Sequence, residues 1–152
     1  HRRLAEGSTV VVMVARGLMD LPIKGFEIFH GARVTDVHSA TLAMRKVAAD
    51  NQILGSVGYS MGAIILSNYV ARYGKDCPLD AAVAISGGLD MRMMTEFYRA
   101  QRLWQPMLAA ELRDNFLVKK WGERVRARLS KSDMKQTMRA CHVTVGIPVA
   151  LR

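Results

Sequence analysis

The chain has 152 residues, 50% of them hydrophobic and 23% charged, which suits one compact domain with a sizeable core and excludes an intrinsically disordered chain. Its formal net charge of +9 is uneven: residues 1–91 hold 9 Lys/Arg against 8 Asp/Glu, and residues 92–152 hold 13 against 5. The basic excess of the second part fits anionic lipid, an acidic partner or a solvated helical surface; nucleic acid is not expected, because the only aromatics in the basic stretch, Phe116 and Trp121, fall on an apolar stripe.

The elements follow in chain order. HRRLAEG (1–7) reads as a helix end stopped by Gly7. TVVVMVA (9–15) is a continuous β-branched run, which predicts a strand buried on both faces. It is too short to span a membrane. RGLMDLPIKG (16–25) holds Gly, Asp and Pro and predicts a loop. From Arg33 to Asp50, Val34, Val37, Thr41, Met44 and Val47/Ala48 recur every three or four residues, which predicts a helix with one buried face. QILGSVG (52–58) is a second strand, MGAIILSNYVARYG (61–74) a helix closed by Gly74, KDCPLD a turn, and AAVAIS (81–86) a third buried strand. Continuous strands alternating with helices predict an α/β fold, a partial, doubly wound, mostly parallel sheet with helices on both faces.

After Asp90 the strands stop. Residues 91–104 and 106–130 read as helices, the second with a stripe of Leu108, Leu112, Phe116, Trp121, Val125 and Leu129 flanked by Lys119, Lys120, Arg124, Arg126 and Arg128. Residues 132–141 read as a further helical turn, and HVTVGIPVALR (142–152) has no clear assignment. The expected division is a core over 1–90 and a helical, cap-like segment over 91–152, both parts of one domain. Cys77 and Cys141 lack metal-ligand spacing and read as free thiols in a reduced compartment, and no signal peptide is evident.

One motif carries chemistry. G58-Y59-S60-M61-G62 has the form G-x-S-x-G between a strand and a helix. A strand turning sharply into a helix strains its elbow residue, and small neighbours on both sides would relieve the crowding. The serine oxygen is then held above the strand ends, where the helix aims its N-terminal N–H groups. On this reading Ser60 is a nucleophile and the Met61 N–H one oxyanion donor. The other reading is a Gly-Ser-Gly turn that only links two elements.

GYSMGAIILSNYVARYG resembles the nucleophile elbow of α/β-hydrolases, in particular the branch of medium-chain esterases, abhydrolase-domain lipases and embryogenesis-associated hydrolases. VVVMVARGLMDLPI, FHGARVTDVHSAT and NYVARYGKDCPLDAAVAIS extend the resemblance over residues 3–92, and the helical part looks less specifically like the family's cap. Met19 and Ala63 stand where the family often has glycine. The resemblance implies a serine hydrolase of medium-chain or glycerolipid acyl esters without a cofactor, either intracellular or membrane-associated. It also implies that this is the family's middle portion: the His-Gly loop, the triad acid and the histidine would lie outside it, leaving the chain inactive alone.

Local substitutes are few. His38 reads as a structural histidine on a buried helix face, His30 as an exposed loop residue, and His142 lacks the family's Gly-His context. His1 has no site context. Asp90 reads as the N-cap of the helix at 91–104, or as an acid after the third strand; Asp36 reads as an N-cap or loop anchor. Met91, Met93, Met94, Phe97, Leu103 and Trp104 line an acyl pocket or pack the cap on the sheet, and the stripe at 107–129 has the look of an interfacial helix as well as of a surface one. The alternatives to a hydrolase are a catalytically inactive binding module of the same fold, or a basic helical segment that binds anionic lipid or nucleic acid.

Overall fold

The computed structural model describes residues 7–19, 21, 23, 25–90, 105–118 and 123–142. Its centre is a mixed α/β unit: helix α1 (Thr35–Val47), strand β1 (Gly55–Tyr59), helix α2 (Met61–Tyr73), a single 3-10 turn (Gly74–Asp76) and strand β2 (Ala81–Ile85). The strands pair in parallel, with Val57 opposite Val83 and Tyr59 opposite Ile85. Helices α3 (Gln105–Arg113), α4 (Glu123–Arg128) and α5 (Lys131–His142) follow, with a π-helical turn (Asp114–Val118) after α3.

The core lies between α1 and α2. Tyr69 is fully buried, Val34 and Leu66 nearly so, and Val37, Val70, Tyr73, Cys77 and Leu79 pack around them. The predicted stripe of α1 holds at Val34 and Thr41, whose hydroxyl donates to the Val37 carbonyl at 2.6 Å. It fails at Val47, which is 86% exposed because the helix ends there, three residues before the predicted stop. Gly74 closes α2 as expected, at a φ of 49°.

A clasp sews the amino ends of both strands to the end of α1. Arg45 Nη2 donates to the Pro78 carbonyl at 2.6 Å and to Asp80 Oδ2 at 2.7 Å, and its Nη1 to the Gln52 carbonyl at 3.0 Å. The Leu54 N–H donates to Asp80 Oδ2 at 2.7 Å, and the Asp80 N–H to the Leu54 carbonyl at 3.0 Å. The hydrogen bond from Arg45, then that from Leu54, holds the Asp80 carboxyl below the usual carboxylate range.

Several expectations are corrected. Residues 9–15 form no strand in the described structure, and Val10, Val11, Val12 and Met13 are exposed. A β-branched run becomes a strand only where a neighbour completes its ladder, and β1 and β2 pair only with each other among the described residues. The two strands were expected to be buried on both faces, yet Val57, Tyr59, Val83 and Ile85 are 55%, 66%, 51% and 39% exposed. Being paired in register, these four share the face turned away from α2. All of β2, Ala82 and Ala84 included, is exposed: two strands and one helix are too few to bury a strand on both faces, and β2 is buried on neither.

The single helix expected over 106–130 is not α-helical throughout. A π-helical turn follows Arg113, α4 covers Glu123–Arg128, residues 119–122 lie outside the described residues, and Leu108 is exposed while Ala109 is buried. α5 runs one residue further at each end than the predicted turn, with Ser130 as its cap: Ser130 Oγ accepts the Asp133 N–H at 3.0 Å and donates to Asp133 Oδ2 at 2.7 Å. The basic face is partly engaged. Arg126 donates to the Leu117 carbonyl at 2.5 Å, and Arg128 sits 4.3 Å from the centre of the Phe26 ring. Among the described residues no helix is long and apolar enough to cross a membrane. The helix expected at 91–104, with its acyl-pocket residues Met91, Met93, Met94, Phe97, Leu103 and Trp104, lies outside the described residues. So do residues 1–6, Trp121, and the side chains of Phe116, Val125, Cys141 and His142.

Candidate active site

Ser60 occupies the single residue between β1 and α2, with φ 50° and ψ −117°. A serine at positive φ costs of the order of 1–3 kcal/mol and persists only where its surroundings impose it. Here they do. The Ser60 N–H donates across the sheet to the Ile85 carbonyl at 3.0 Å, and the Ser60 carbonyl accepts the N–H groups of Ala63 and Ile64 at 3.0 and 3.2 Å. Backbone bonds on both sides therefore hold the residue, while its side chain is exposed and makes no capping hydrogen bond.

The two motif glycines are not equivalent. A Cβ on Gly58 would lie 2.5 Å from the Gly62 carbonyl oxygen and 2.9 Å from the Ala63 Cα, so only glycine fits. A Cβ on Gly62 would meet nothing within 4 Å. The expectation that both flanks need small residues is thus corrected at Gly62: the helix backbone crowds Gly58, and nothing crowds Gly62 in return.

Two further glycines brace the first turns of α2. A Cβ on Gly87 would lie 2.8 Å from the Ala63 Cβ and 3.2 Å from the Ile64 N. A Cβ on Gly31 would lie 2.8 Å from the Ile64 Cγ2, with Met61 Sδ at 3.9 Å, and Asn68 Nδ2 donates to the Gly31 carbonyl at 2.9 Å. The loop after β2 and the loop before α1 therefore press on the same helix end. Ser86, just before Gly87, is a second serine at positive φ, 55°. Sequence reading missed it, along with the bracing role of Gly31; the Ser-Gly-Gly run at 86–88 was the available signal.

Met61 and Gly62 lie in the first turn of α2, so their N–H groups have no acceptor one turn back in the helix and point beyond its end. With the positive end of the helix dipole there, the arrangement can stabilise a negative oxygen formed on an acyl group attached to Ser60. This is the place expected for the Met61 donor.

The other candidates are not brought to Ser60. His38 stacks on Tyr73 at 4.0 Å between ring centroids, and its Nδ1 lies 3.3 Å from the Tyr69 hydroxyl. It is a structural histidine, as expected. Burial of Tyr69 raises its phenol above the usual range. Asp36 is a loop anchor: Arg16 Nε and Nη2 donate to its two oxygens at 2.7 and 2.5 Å, and Arg33 Nε lies 3.5 Å away. It makes no cap, because the N-cap position is Val34. The Arg16 hydrogen bond, aided by the charges of Arg16 and Arg33, holds the Asp36 carboxyl below its ordinary value against the effect of burial. Arg33 also pairs with Glu27. Asp90 is exposed and not part of a helix or strand. His30 lies in the loop as expected, but half-buried rather than exposed. His1 lies outside the described residues, as does the His142 side chain. Among the described residues no cluster of His, Cys, Asp and Glu has the makings of a metal site.

Comparison with protein-family models, with curated proteins and with solved structures finds no match to this chain.

Proposed function

We propose that the chain belongs to a serine hydrolase of α/β-hydrolase fold, similar to the esterase and acylglycerol lipase branch, that cleaves or transfers medium-chain or glycerolipid acyl esters. The observation that carries this is Ser60 itself, a non-glycine residue at φ 50° and ψ −117° between a parallel strand and a helix, backed by a glycine that only glycine can replace. Strain of that kind at an exposed hydroxyl is characteristic of a functional site.

In the proposed reaction Ser60 Oγ attacks the acyl carbonyl while its proton passes to a base. The oxyanion lies against the Met61 N–H and the positive end of α2. The alcohol leaves with that proton, and water then releases the acid from the acyl-enzyme by the reverse steps. No cofactor enters. The resemblance puts the triad acid and histidine in sequence other than residues 1–152, so this chain alone is expected to acylate slowly and turn over little.

Incubation with an activated medium-chain p-nitrophenyl ester, acid quench and peptide mapping tests this. One acyl group on the peptide holding Ser60, absent from Ser60→Ala, is the expected result. Acylation elsewhere, or equal acylation in Ser60→Ala, overturns it. No acylation at all leaves the inactive binding module as the reading.

A further inference from the structure

Met19, Ser60 and Ser86 are the non-glycine residues at positive φ among those described, and the two serines directly follow the two paired strands. The parallel register sets them side by side. Tyr59 is opposite Ile85, so Ser60 and Ser86 are the next residues of their strands. The Ser60 N–H donates at 3.0 Å to the Ile85 carbonyl, whose carbon is bonded to the Ser86 nitrogen. Neighbouring strands run about 4.8 Å apart, so the two serine backbones lie one strand spacing from each other.

The chain stays at this place after Ser86. A Cβ on Gly87 would lie 2.8 Å from the Ala63 Cβ and 3.2 Å from the Ile64 nitrogen, so Gly87 packs on the first turn of α2. Ser86 is thus fixed from both sides, through Ile85 to the Ser60 backbone and through Gly87 to the helix that Ser60 begins. Its side chain is exposed, as that of Ser60 is, and makes no hydrogen bond among the described residues. A serine at positive φ costs free energy that its surroundings must impose, and here the cost falls on two adjacent hydroxyls. Two other polar side chains belong to these strand ends. Tyr59 falls, by strand alternation, on the face of Val57, Val83 and Ile85, turned away from α2. Asp90 lies four residues beyond Ser86 and has a partner of its own.

We propose that Ser86 contacts the alcohol part of an ester reacting at Ser60. Its hydroxyl donates to an oxygen on the carbon next to the one that bears the ester, as in esters of vicinal diols and of glycerol. This rests on the reading of Ser60 as the reacting position. The carbonyl oxygen takes the Met61 N–H. An apolar acyl chain laid over Ser86 would cover its hydroxyl without giving it a partner. The alcohol part is the polar end that remains, and it lies over the neighbouring strand end. The site therefore prefers alcohols that carry a second oxygen to plain alkyl alcohols of the same size.

Two chromogenic phosphonates test this, octylphosphonate p-nitrophenyl esters whose second alkoxy group is methoxyethyl in one and butyl in the other. Ser60 Oγ bonds to phosphorus, p-nitrophenolate leaves, and the serine proton passes to solvent. The retained alkoxy group stands for the alcohol part, and the two differ only by an oxygen in place of a methylene. Rates are read from p-nitrophenolate release, and the adduct is located by tryptic mapping. The methoxyethyl-to-butyl rate ratio is expected to fall about twofold to tenfold in Ser86→Ala and in Ser86→Gly, the range of one net hydrogen bond. In Tyr59→Phe the ratio should be that of the wild type. Comparing ratios between variants cancels the difference in intrinsic reactivity of the two reagents. A ratio unmoved in either Ser86 variant, or lowered equally in Tyr59→Phe, overturns the assignment of Ser86 while the adduct on Ser60 stands. Absence of any adduct on Ser60 overturns the reading of Ser60 and this inference with it, so the two failures are told apart.

Discussion

The two ends of the parallel strand pair are built on opposite principles. At the amino end one guanidinium, one carboxylate and three carbonyls hydrogen-bond one another through Arg45, Asp80, Pro78, Gln52 and Leu54. At the carboxyl end two serines stand at positive φ, and glycines are pressed against α2 at contacts no side chain would tolerate. One end is satisfied and the other is strained, within strands of five residues each. Catalytic groups in α/β sheets gather where the strands end and the helices begin, and here that end alone holds a side chain in a posture the backbone dislikes.

The largest effect should come from filling the tightest contact. Gly58→Ala drives a Cβ into the Gly62 carbonyl, and should cost about 3 kcal/mol or more, as overpacking against backbone does. Chemical denaturation will show it as a lower midpoint, and Gly58→Val should not fold. Next is the opposite end. Arg45→Ala removes the donor shared by the Pro78 and Gln52 carbonyls and Asp80, and should cost about 1–2 kcal/mol, since the cluster is partly exposed.

A gain is expected at the elbow. Ser60→Gly removes the positive-φ penalty and should raise stability by about 1 kcal/mol while abolishing acylation. A variant that is more stable and inert would separate strain from chemistry; one that is less stable would show that Ser60 is not strained. The smallest effect is at the partner glycine. Gly62→Ala meets open space and should leave stability unchanged or raise it by about 0.5–1 kcal/mol, as alanine does in a helix. A cost comparable to that of Gly58→Ala would contradict the asymmetry of the two glycines.

The loop that frames the rim gives a pH signature. The folded-state pKa of Asp36 is lowered from 3.8, chiefly by the Arg16 hydrogen bond. A depressed carboxylate adds stability above its unfolded pKa and loses it as pH falls through the folded value. The stability difference between the wild type and Asp36→Asn should therefore be constant above about pH 5 and shrink below it. A difference that grows in acid would contradict the pairing.

Legibility in the sequence followed the range of the interaction. The elbow, α2 and its Gly74 stop, β2, and the helical character of 35–47 were all readable, because caps, glycines and three-four spacing are local signals. Residues 9–15 were not. Their composition is that of a buried strand, but burial and pairing depend on neighbours that no local pattern records. Val57 and Val83 misled for the same reason: an apolar strand looks alike in sequence whatever covers its faces. Gly31 was invisible as a brace of α2 because its contacts with Ile64 and Asn68 span more than thirty positions. The π-helical turn at Asp114–Val118 was missed because the apolar stripe continues in register through it.

The central claim is that the Ser60 hydroxyl is the reacting group. The most direct measurement is labelling of the folded chain with a fluorophosphonate, followed by tryptic mapping and comparison with Ser60→Ala. The account predicts a single phosphonyl adduct, formed slowly on Ser60 and absent from the variant. An adduct on any other serine, or a folded chain that resists the reagent entirely, would contradict it.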